Sequence, residues 1–252
     1  ARAGVMTPGT ASHLYYFSVA EAAGKRGAWG YVKGGIGGIT QAMAKAVEHH
    51  GGLVKTNAEV KRVLVDDSRA TGVELTTGER ISSRVILSNA DPKTTFLRLL
   101  EPDHLDEEFR KRVQHIQCTG MYIKLLCAAD ELPDYKAYPG KQPGPQHVGA
   151  TNIVVSQEYL ERAWDDVKYG RPSERPYIGM TIQSVTDPDL APPGKHTYNM
   201  DVQFAPYRLR EDEWDDVKER YADRVIDVLS EYAPNVQTAI TQRKVLTALD
   251  YE

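Results

Sequence analysis

Apolar residues recur at helical spacing in two segments of the chain. The first segment follows a glycine cluster and ends at Gly51-Gly52, and the second runs from Glu211 to Tyr232. The apolar positions that define the two faces are Ile39, Ala42, Met43, Ala46 and Val47 in the first segment, and Trp214, Val217, Tyr221, Val225, Val228 and Tyr232 in the second. Each segment is predicted to be an amphipathic helix with one face available for packing.

Other apolar runs are short or alternate with polar residues, which is typical of strands. Turn residues separate three of them between Val60 and Leu87, and these predict a β-meander. The predicted strands are Trp29 to Lys33, Val60 to Val65, Thr71 to Leu75, Arg84 to Leu87, Met121 to Cys127, Ile153 to Val155, Tyr177 to Val185 and Thr197 to Phe204; shorter helices are predicted at Phe96 to Leu100 and Leu105 to Val113. The pattern predicts an α+β fold, with a mixed β-sheet and flanking helices.

Composition excludes several classes of protein. The chain has 252 residues, of which 41% are hydrophobic and 26% charged, so it can bury a core and is not a disordered chain. A net charge of -4 gives no electrostatic reason to expect nucleic acid as a partner. No apolar run approaches the roughly 18–20 residues that span a bilayer, which predicts no transmembrane segment and leaves peripheral membrane contact open. Cys118 and Cys127 indicate a reducing compartment, either the cytoplasm or the mitochondrial matrix.

The glycine cluster Gly34-Gly35-Ile36-Gly37-Gly38 has two interpretations. Glycines before a helix let a pyrophosphate approach backbone amides, but a G-x-G-x-x-G pattern from Gly35 has Thr40 at the third glycine. A structural glycine turn that packs a helix closely is therefore favoured. The histidines lack metal-ligand spacing, so we expect no metal, and no residue is identified as catalytic.

Tyrosine is in excess, with 14 Tyr against four Phe. One interpretation is an apolar cavity whose walls keep hydroxyl groups for orientation, and the other is ordinary core packing. The candidates are Tyr15-Tyr16-Phe17, Trp29, Tyr31 and Tyr198. The Pro- and Gly-rich segment from Leu132 to Gly149 has no periodicity, and it is a candidate lid or docking element.

Several strings together resemble one flavoprotein family. They are Gly34-Gly35 opening a helix, Asn57-Ala58-Glu59-Val60, Ala70-Thr71-Gly72-Val73-Glu74-Leu75, Val85-Ile86-Leu87-Ser88-Asn89-Ala90-Asp91-Pro92, Lys168-Tyr169-Gly170-Arg171-Pro172-Ser173 and Asp187-Pro188-Asp189-Leu190-Ala191-Pro192-Pro193-Gly194-Lys195-His196. In these sequence strings, the chain is similar to the phytoene-desaturase-like branch of the amine-oxidase-type FAD oxidoreductases. The resemblance covers nearly the whole chain.

The resemblance implies FAD as the cofactor and a division of the chain into domains. Residues 1–28 would be a substrate-domain or linker segment, 29–92 part of the FAD-binding domain, 93–247 the substrate-binding domain, and 248–252 the start of a return to the FAD domain. The implied cofactor-binding residues are Gly34, Gly35, Val60, Asn89 and Ala90. The implied wall between flavin and substrate contains Trp29 and Tyr31.

The family's N-terminal Rossmann fingerprint and C-terminal glycine-rich flavin motif are both absent from this sequence. We therefore expect the middle portion of a longer enzyme, one that binds flavin weakly or not at all when isolated. The resemblance implies dehydrogenation of an apolar small molecule, such as a polyene or another lipid-like substrate. The alternatives are a flavin amine or alcohol oxidase on the same scaffold, and a non-catalytic binding or assembly module.

Overall fold

The computed structural model describes residues 4, 6–8, 15, 18–22, 24–28 and 30–251. The chain is a mixed α+β protein, as predicted, and it divides into two compact units. The first unit comprises Ala1–Gln41 and Thr119–Glu252, and the second comprises Ala42–Cys118. Among the described residues, no helix has the length and apolar character needed to cross a bilayer.

The elements are numbered in chain order. The strands are β1 (Glu21–Ala22), β2 (Lys25–Arg26), β3 (Val60–Asp66), β4 (Arg69–Leu75), β5 (Arg80–Ser82), β6 (Tyr122–Ala129), β7 (Thr151–Ile153), β8 (Tyr177–Thr181), β9 (His196–Gln203) and β10 (Ile240–Leu246). The α-helices are α1 (Gly37–His49), α2 (Glu107–Gln114), α3 (Pro145–Val148), α4 (Gln157–Lys168), α5 (Trp214–Ser230) and α6 (Val236–Ala239). Single-turn 3₁₀ or π helices occupy Thr94–Arg98, Pro102–His104, Gln183–Val185, Pro188–Leu190 and Leu249–Tyr251.

The first unit is built on a five-stranded antiparallel sheet in the order β10-β6-β9-β8-β7. Side chains of β6 alternate between two faces, because successive residues of a strand point in opposite directions. Ile123, Leu125 and Cys127 are buried, whereas Lys124 and Leu126 are more exposed. Burial raises the pKa of the Cys127 thiol to about 12. One face of the sheet therefore belongs to the core.

Helix α5 packs against this buried face. Its residues Val225 and Leu229 are fully buried in the same cluster as Leu125 of β6, and burial of each such side chain contributes about 1.5–3 kcal/mol. Trp214 begins the helix, and its indole Nε1 donates to the carbonyl of Pro206 at 2.9 Å. The amphipathic pattern of the sequence thus predicted both this helix and the face that it buries.

Helix α4 is packed separately in the first unit. The Ser156 hydroxyl accepts from the backbone N–H of Tyr159 at 3.0 Å, which satisfies a free amide of the first turn. Ala163 and Val167 then pack against Phe204, the residue that follows β9. This contact fixes the helix beside the end of the sheet strand.

The segment from Leu132 to Gly149 is anchored near both of its ends. The Asn235 side chain accepts from the backbone N–H of Asp134 at 2.7 Å and donates to the carbonyl of Leu132 at 2.9 Å. His147 is buried, with its Nε2 2.8 Å from the carbonyl oxygen of Pro133. Residues 136–139 between these anchors are exposed. Proline and glycine thus give an irregular path, and the buried contacts fix it.

The second unit contains the antiparallel sheet β3-β4-β5. Its first two strands are those predicted for the meander, whereas its third strand is Arg80–Ser82 in place of the predicted Arg84 to Leu87. Asp67 and Ser68 both have positive φ angles, of 43° and 61°, as a tight two-residue hairpin turn requires. Glu74 of β4 is surrounded by three cations, with Lys61, Arg62 and Arg80 at 3.0 to 3.1 Å. The hydrogen bonds from the Arg62 and Lys61 side chains hold the pKa of Glu74 at about 2.

Some predicted strands are wrong. Residues 30–33 are not a strand, and Tyr177 to Val185 leaves the sheet after Thr181 and continues as a 3₁₀ turn. Val85, Ile86 and Leu87 form no strand, although residues 42–118 are all described. Val85 is 69% exposed and Leu87 is 93% exposed. A strand requires a hydrogen-bonded neighbour, and no strand of the second unit pairs with this run.

Candidate functional site

The glycine cluster forms a turn at the start of α1, within the first unit. The backbone N–H of Gly35 donates to the carbonyl of Val32 at 2.9 Å, and that of Gly38 donates to the carbonyl of Gly35 at 3.0 Å. Gly34 and Gly35 have φ angles of +78° and +95°, a region that side chains other than glycine enter only with strain. A Cβ atom on Gly38 would lie 3.1 Å from the Cγ1 of Val32, so this glycine permits close approach instead.

One side of the turn is open. A Cβ atom added to Gly34 or to Gly37 would meet no other atom within 4 Å. A ligand can therefore approach the backbone closely, which is the main advantage of glycine at such a position.

A buried carboxylate accepts a hydrogen bond from one backbone amide of this turn. The backbone N–H of Gly34 donates to Oδ2 of Asp187 at 2.6 Å, and Asp187 is only 8% exposed. Leu190, three residues further on, lies near Gly35. An amide engaged by a carboxylate is not free to bind a second anion, and the negative charge opposes a pyrophosphate here. The Gly34 amide and the carboxylate beside it therefore disfavour a phosphate group at this position.

The sheet of the first unit has a second face, on the side opposite α5. In β6 and β9, Lys124 lies directly opposite Asp201, and their side chains form an ion pair with Nζ and Oδ1 2.9 Å apart. Asp201 lies opposite Gly179 in β8, and the Tyr177 hydroxyl donates to the side chain of Asn152. We call this the open face, defined by Lys124, Leu126, Asn152, Tyr177, Asn199 and Asp201.

The open face offers groups that can orient a polar molecule. Among the described residues, Oδ1 of Asn199 is a buried acceptor without a hydrogen-bond partner. Burial raises the pKa of Tyr177, and its hydroxyl uses its one proton in the hydrogen bond to the Asn152 side chain, so towards a ligand it offers only acceptor lone pairs.

The predicted cofactor residues fall in both units. Gly34 and Gly35 belong to the first unit, where they form the turn described above. Val60, Asn89 and Ala90 belong to the second unit, in which Val60 begins β3 opposite Leu75. Asn89 and Ala90 are exposed in a segment that is neither helix nor strand.

That segment leads into a helical turn that begins after Asp91. Oδ1 of Asp91 accepts from the backbone N–H groups of Lys93 and Thr94 at 2.8 and 3.1 Å. Hydrogen bonds from Thr94 lower the pKa of Asp91. The Asp91-Pro92 string thus has a local structural role, because it starts the turn at Thr94–Arg98.

The expected tyrosine cavity is not supported by the described residues. Tyr15 and Tyr31 are exposed, and Tyr198 is buried in the core, where its hydroxyl donates to the carbonyl of Glu131. Trp29, Tyr16 and Phe17 lie outside the described residues. Three surface grooves of about 430 to 460 Å³ are lined by residues of 155–175, 172–227 and 223–243, not by these aromatic side chains. Within the described part of the chain, His, Cys, Asp and Glu form no group of three or more that could hold a metal ion.

Sequence reasoning missed two features of the site. Asp187 was part of a family-like string, but nothing in that string indicates its contact with Gly34, which is 153 residues away. The open face had a usable signal, because polar residues alternate with apolar ones along β6 and β9. That alternation shows which side chains lie opposite the core.

Comparisons with known proteins identify relatives along nearly the whole chain. No protein-family model matches it. Pyridine nucleotide-disulfide oxidoreductase domain-containing protein 2 of Rattus norvegicus is 36% identical over 253 residues, which cover 98% of this chain and 44% of that protein. Phytoene desaturase (neurosporene-forming) of Cereibacter sphaeroides is 29% identical over 224 residues, covering 86% of this chain and 40% of that enzyme.

A solved structure agrees with these matches in fold. The crystal structure of an oxidoreductase from Methanosarcina mazei matches with a TM-score of 0.56 and 22% identity, covering 85% of this chain and 43% of that protein. The chain thus spans less than half the length of the relatives that it matches. Over that span, the chain is similar to oxidoreductases of the phytoene-desaturase-like type.

Proposed function

We propose that this chain is the middle portion of an FAD-dependent oxidoreductase that dehydrogenates an apolar small molecule. The observation that carries the proposal is the glycine turn, which leaves open space beside Gly34 and Gly37 in a chain related to oxidoreductases. The names of the phytoene desaturases among the relatives support an apolar, polyene or lipid-like substrate. In this proposal residues 29–92 contribute to the FAD-binding domain and residues 93–247 form the substrate-binding domain.

Bound FAD would supply the redox chemistry by accepting a hydride from the substrate. The residues of this chain would bind the cofactor and orient the substrate. Gly34 and Gly35 would let the ring system lie close to the backbone. The resemblance also implies Val60, Asn89 and Ala90 as cofactor-binding residues. Trp29 and Tyr31 would form part of the wall between cofactor and substrate.

We propose further that this chain alone holds FAD weakly. The Gly34 amide is already engaged by Asp187, so the turn offers shape more than hydrogen bonds. Helix α1 buries none of its residues, which supports further polypeptide packing against it in the whole enzyme. Much of the cofactor's binding energy would then come from outside these 252 residues.

The test compares this chain with a longer protein that contains it. The visible absorption spectrum and intact mass of each would be measured on the same purified sample. We expect flavin bands in the longer protein and a colourless 252-residue chain. Flavin bands in the shorter chain would contradict the weak-binding proposal. No flavin in the longer protein, even after incubation with FAD, would support a non-catalytic binding or assembly module.

A second candidate is oxidation of a polar substrate, such as an amine or alcohol, on the same scaffold. The observation that favours it is the open face, where Lys124, Asp201 and Asn199 are polar. If this face meets the substrate, replacing the ion pair by Lys124→Leu with Asp201→Leu would raise KM for a polar substrate. An apolar substrate would bind at least as well to that variant. Lys195 and Asp130 form an exposed ion pair at 2.8 Å, and their double leucine variant is the control.

A further inference from the structure

Asp187 lies in a segment that is itself held firmly. Its backbone N–H donates to the carbonyl of Gln183 at 2.9 Å, and its own carbonyl accepts from the N–H of Leu190 at 3.1 Å. Ser184, in the same segment, accepts from the backbone N–H of Thr197 at 3.1 Å and is buried. The Asp187 side chain is therefore presented from a fixed position beside the start of β9.

The glycine turn, in contrast, has little intrinsic rigidity. Gly34 and Gly35 are adjacent, and glycine loses more conformational freedom on folding than any other residue. Their positive φ angles are accessible to glycine but are not enforced by it. The backbone hydrogen bonds within the turn, from Gly35 to Val32 and from Gly38 to Gly35, leave the Gly34 amide to be fixed by a contact from elsewhere in the fold. The hydrogen bond from Gly34 to Asp187 supplies such a contact, and it is short and charge-assisted.

A carboxylate is rarely buried without a compensating partner, because desolvation of its charge is unfavourable. Asp187 is 8% exposed and points one oxygen at a backbone amide. Asp189, two residues later in the same 3₁₀ turn, is exposed. The two carboxylates therefore have different roles, although the sequence places them in the same string.

We infer that Asp187 is a positioning residue that fixes the glycine turn with its open side available to the cofactor. This inference rests on the proposed function, in which the turn lies against the flavin. We call the hydrogen bond between Gly34 and Asp187 the clamp. It acts through Gly34 and need not touch the ligand itself. It also removes one amide from anion binding, so it selects a ring surface over a phosphate at this turn.

The first test measures the clamp without any cofactor. Amide hydrogen exchange of the segment 30–36 would be followed by mass spectrometry in the 252-residue chain. We expect Asp187→Ala to accelerate exchange at Gly34 about tenfold or more, since a closing hydrogen bond is lost. Asp187→Asn keeps an acceptor oxygen at the same reach and is expected to restore protection. Asp189→Ala, the matched control, should exchange like the parent chain.

Unchanged exchange in Asp187→Ala would overturn the clamp. If that variant does not fold, Asp187→Ser is the substitute, because its hydroxyl is one bond shorter and does not reach Gly34. Faster exchange at Gly34 in a folded Asp187→Ser chain supports the clamp, and parental exchange overturns it.

The second test connects the clamp to the cofactor in the longer protein. Bound flavin per protein and the flavin dissociation constant would be measured for the parent, Asp187→Ala, Asp187→Asn and Asp189→Ala. We expect weaker flavin binding in Asp187→Ala and near-parental binding in the other two variants. Equal flavin binding in all four, with faster exchange in Asp187→Ala, would overturn the positioning role. A parent protein that binds no flavin would overturn the proposed function, while the exchange result would still decide whether the clamp exists.

Discussion

Two neighbouring leucines of β6 allow a direct test of the sidedness of the sheet. Leu125 is fully buried in the core with α5, whereas Leu126 is 36% exposed on the open face. We expect Leu125→Ala to lower the free energy of unfolding by about 3–4 kcal/mol, because it leaves a cavity beside Met200 and Val245. Leu126→Ala should lower it by about 0.5–1 kcal/mol, because part of that side chain already contacts water.

Urea unfolding provides the measurement, followed through tryptophan fluorescence, to which Trp214 of the same core contributes. With a slope of about 2 kcal/mol per molar urea, Leu125→Ala should lower the midpoint by about 1.5–2 M and Leu126→Ala by less than about 0.5 M. The two slopes should agree, which would show that the variants share a denatured state. Equal midpoints for the two variants would refute the assignment of faces, and with it the argument that the open face is available to a substrate.

Three further predictions concern single residues. Glu74 has a folded-state pKa of about 2 against an ordinary 4.5, so its contribution to stability is present above pH 4.5 and is lost as the pH falls towards 2. Unfolding followed by circular dichroism at a series of pH values should show this dependence in the parent chain and not in Glu74→Gln. Gly72→Ala should destabilise the second unit by about 1–3 kcal/mol, since its Cβ would lie 2.4 Å from the carbonyl oxygen of Ile81, and unchanged amide protection in β5 would contradict this. A thiol reagent should modify exposed Cys118 promptly in the native protein and buried Cys127 only after unfolding. Fast modification of both cysteines in the native protein would contradict the burial of Cys127.

Sequence periodicity predicted the elements that are stabilised by local packing. The alternation in β6 and β9 and the helical spacing of apolar residues in α5 each place apolar residues on one face. That face is the one buried in the fold. The apolar run Val85-Ile86-Leu87 follows the same composition rule but forms no strand. Whether a run becomes a strand depends on a partner strand, and the composition of the run itself does not specify one.

The candidate site was predictable only in part, for a related reason. Two adjacent glycines before a helical pattern identify the turn at Gly34 from local sequence alone. The hydrogen bond from Gly34 to Asp187 joins residues that are distant in sequence, so only the folded chain reveals it. The resemblance named the string that contains Asp187 without giving it a role. Nothing in that string distinguishes Asp187 from Asp189, which differ in burial.

Helix α1 links the glycine turn to the proposal that this chain is part of a larger enzyme. Its sequence predicts an apolar face, yet none of its residues is buried, and Ile39, Met43 and Val47 are 45 to 63% exposed. Most helix stability in proteins comes from packing such a face, so a 13-residue helix without that contact is only marginally stable. The turn at the start of the helix has its own support from Asp187, but the helix body lacks an equivalent. We therefore propose that firm cofactor binding needs both the clamp within this chain and a covering surface from elsewhere, so that the isolated chain holds FAD weakly.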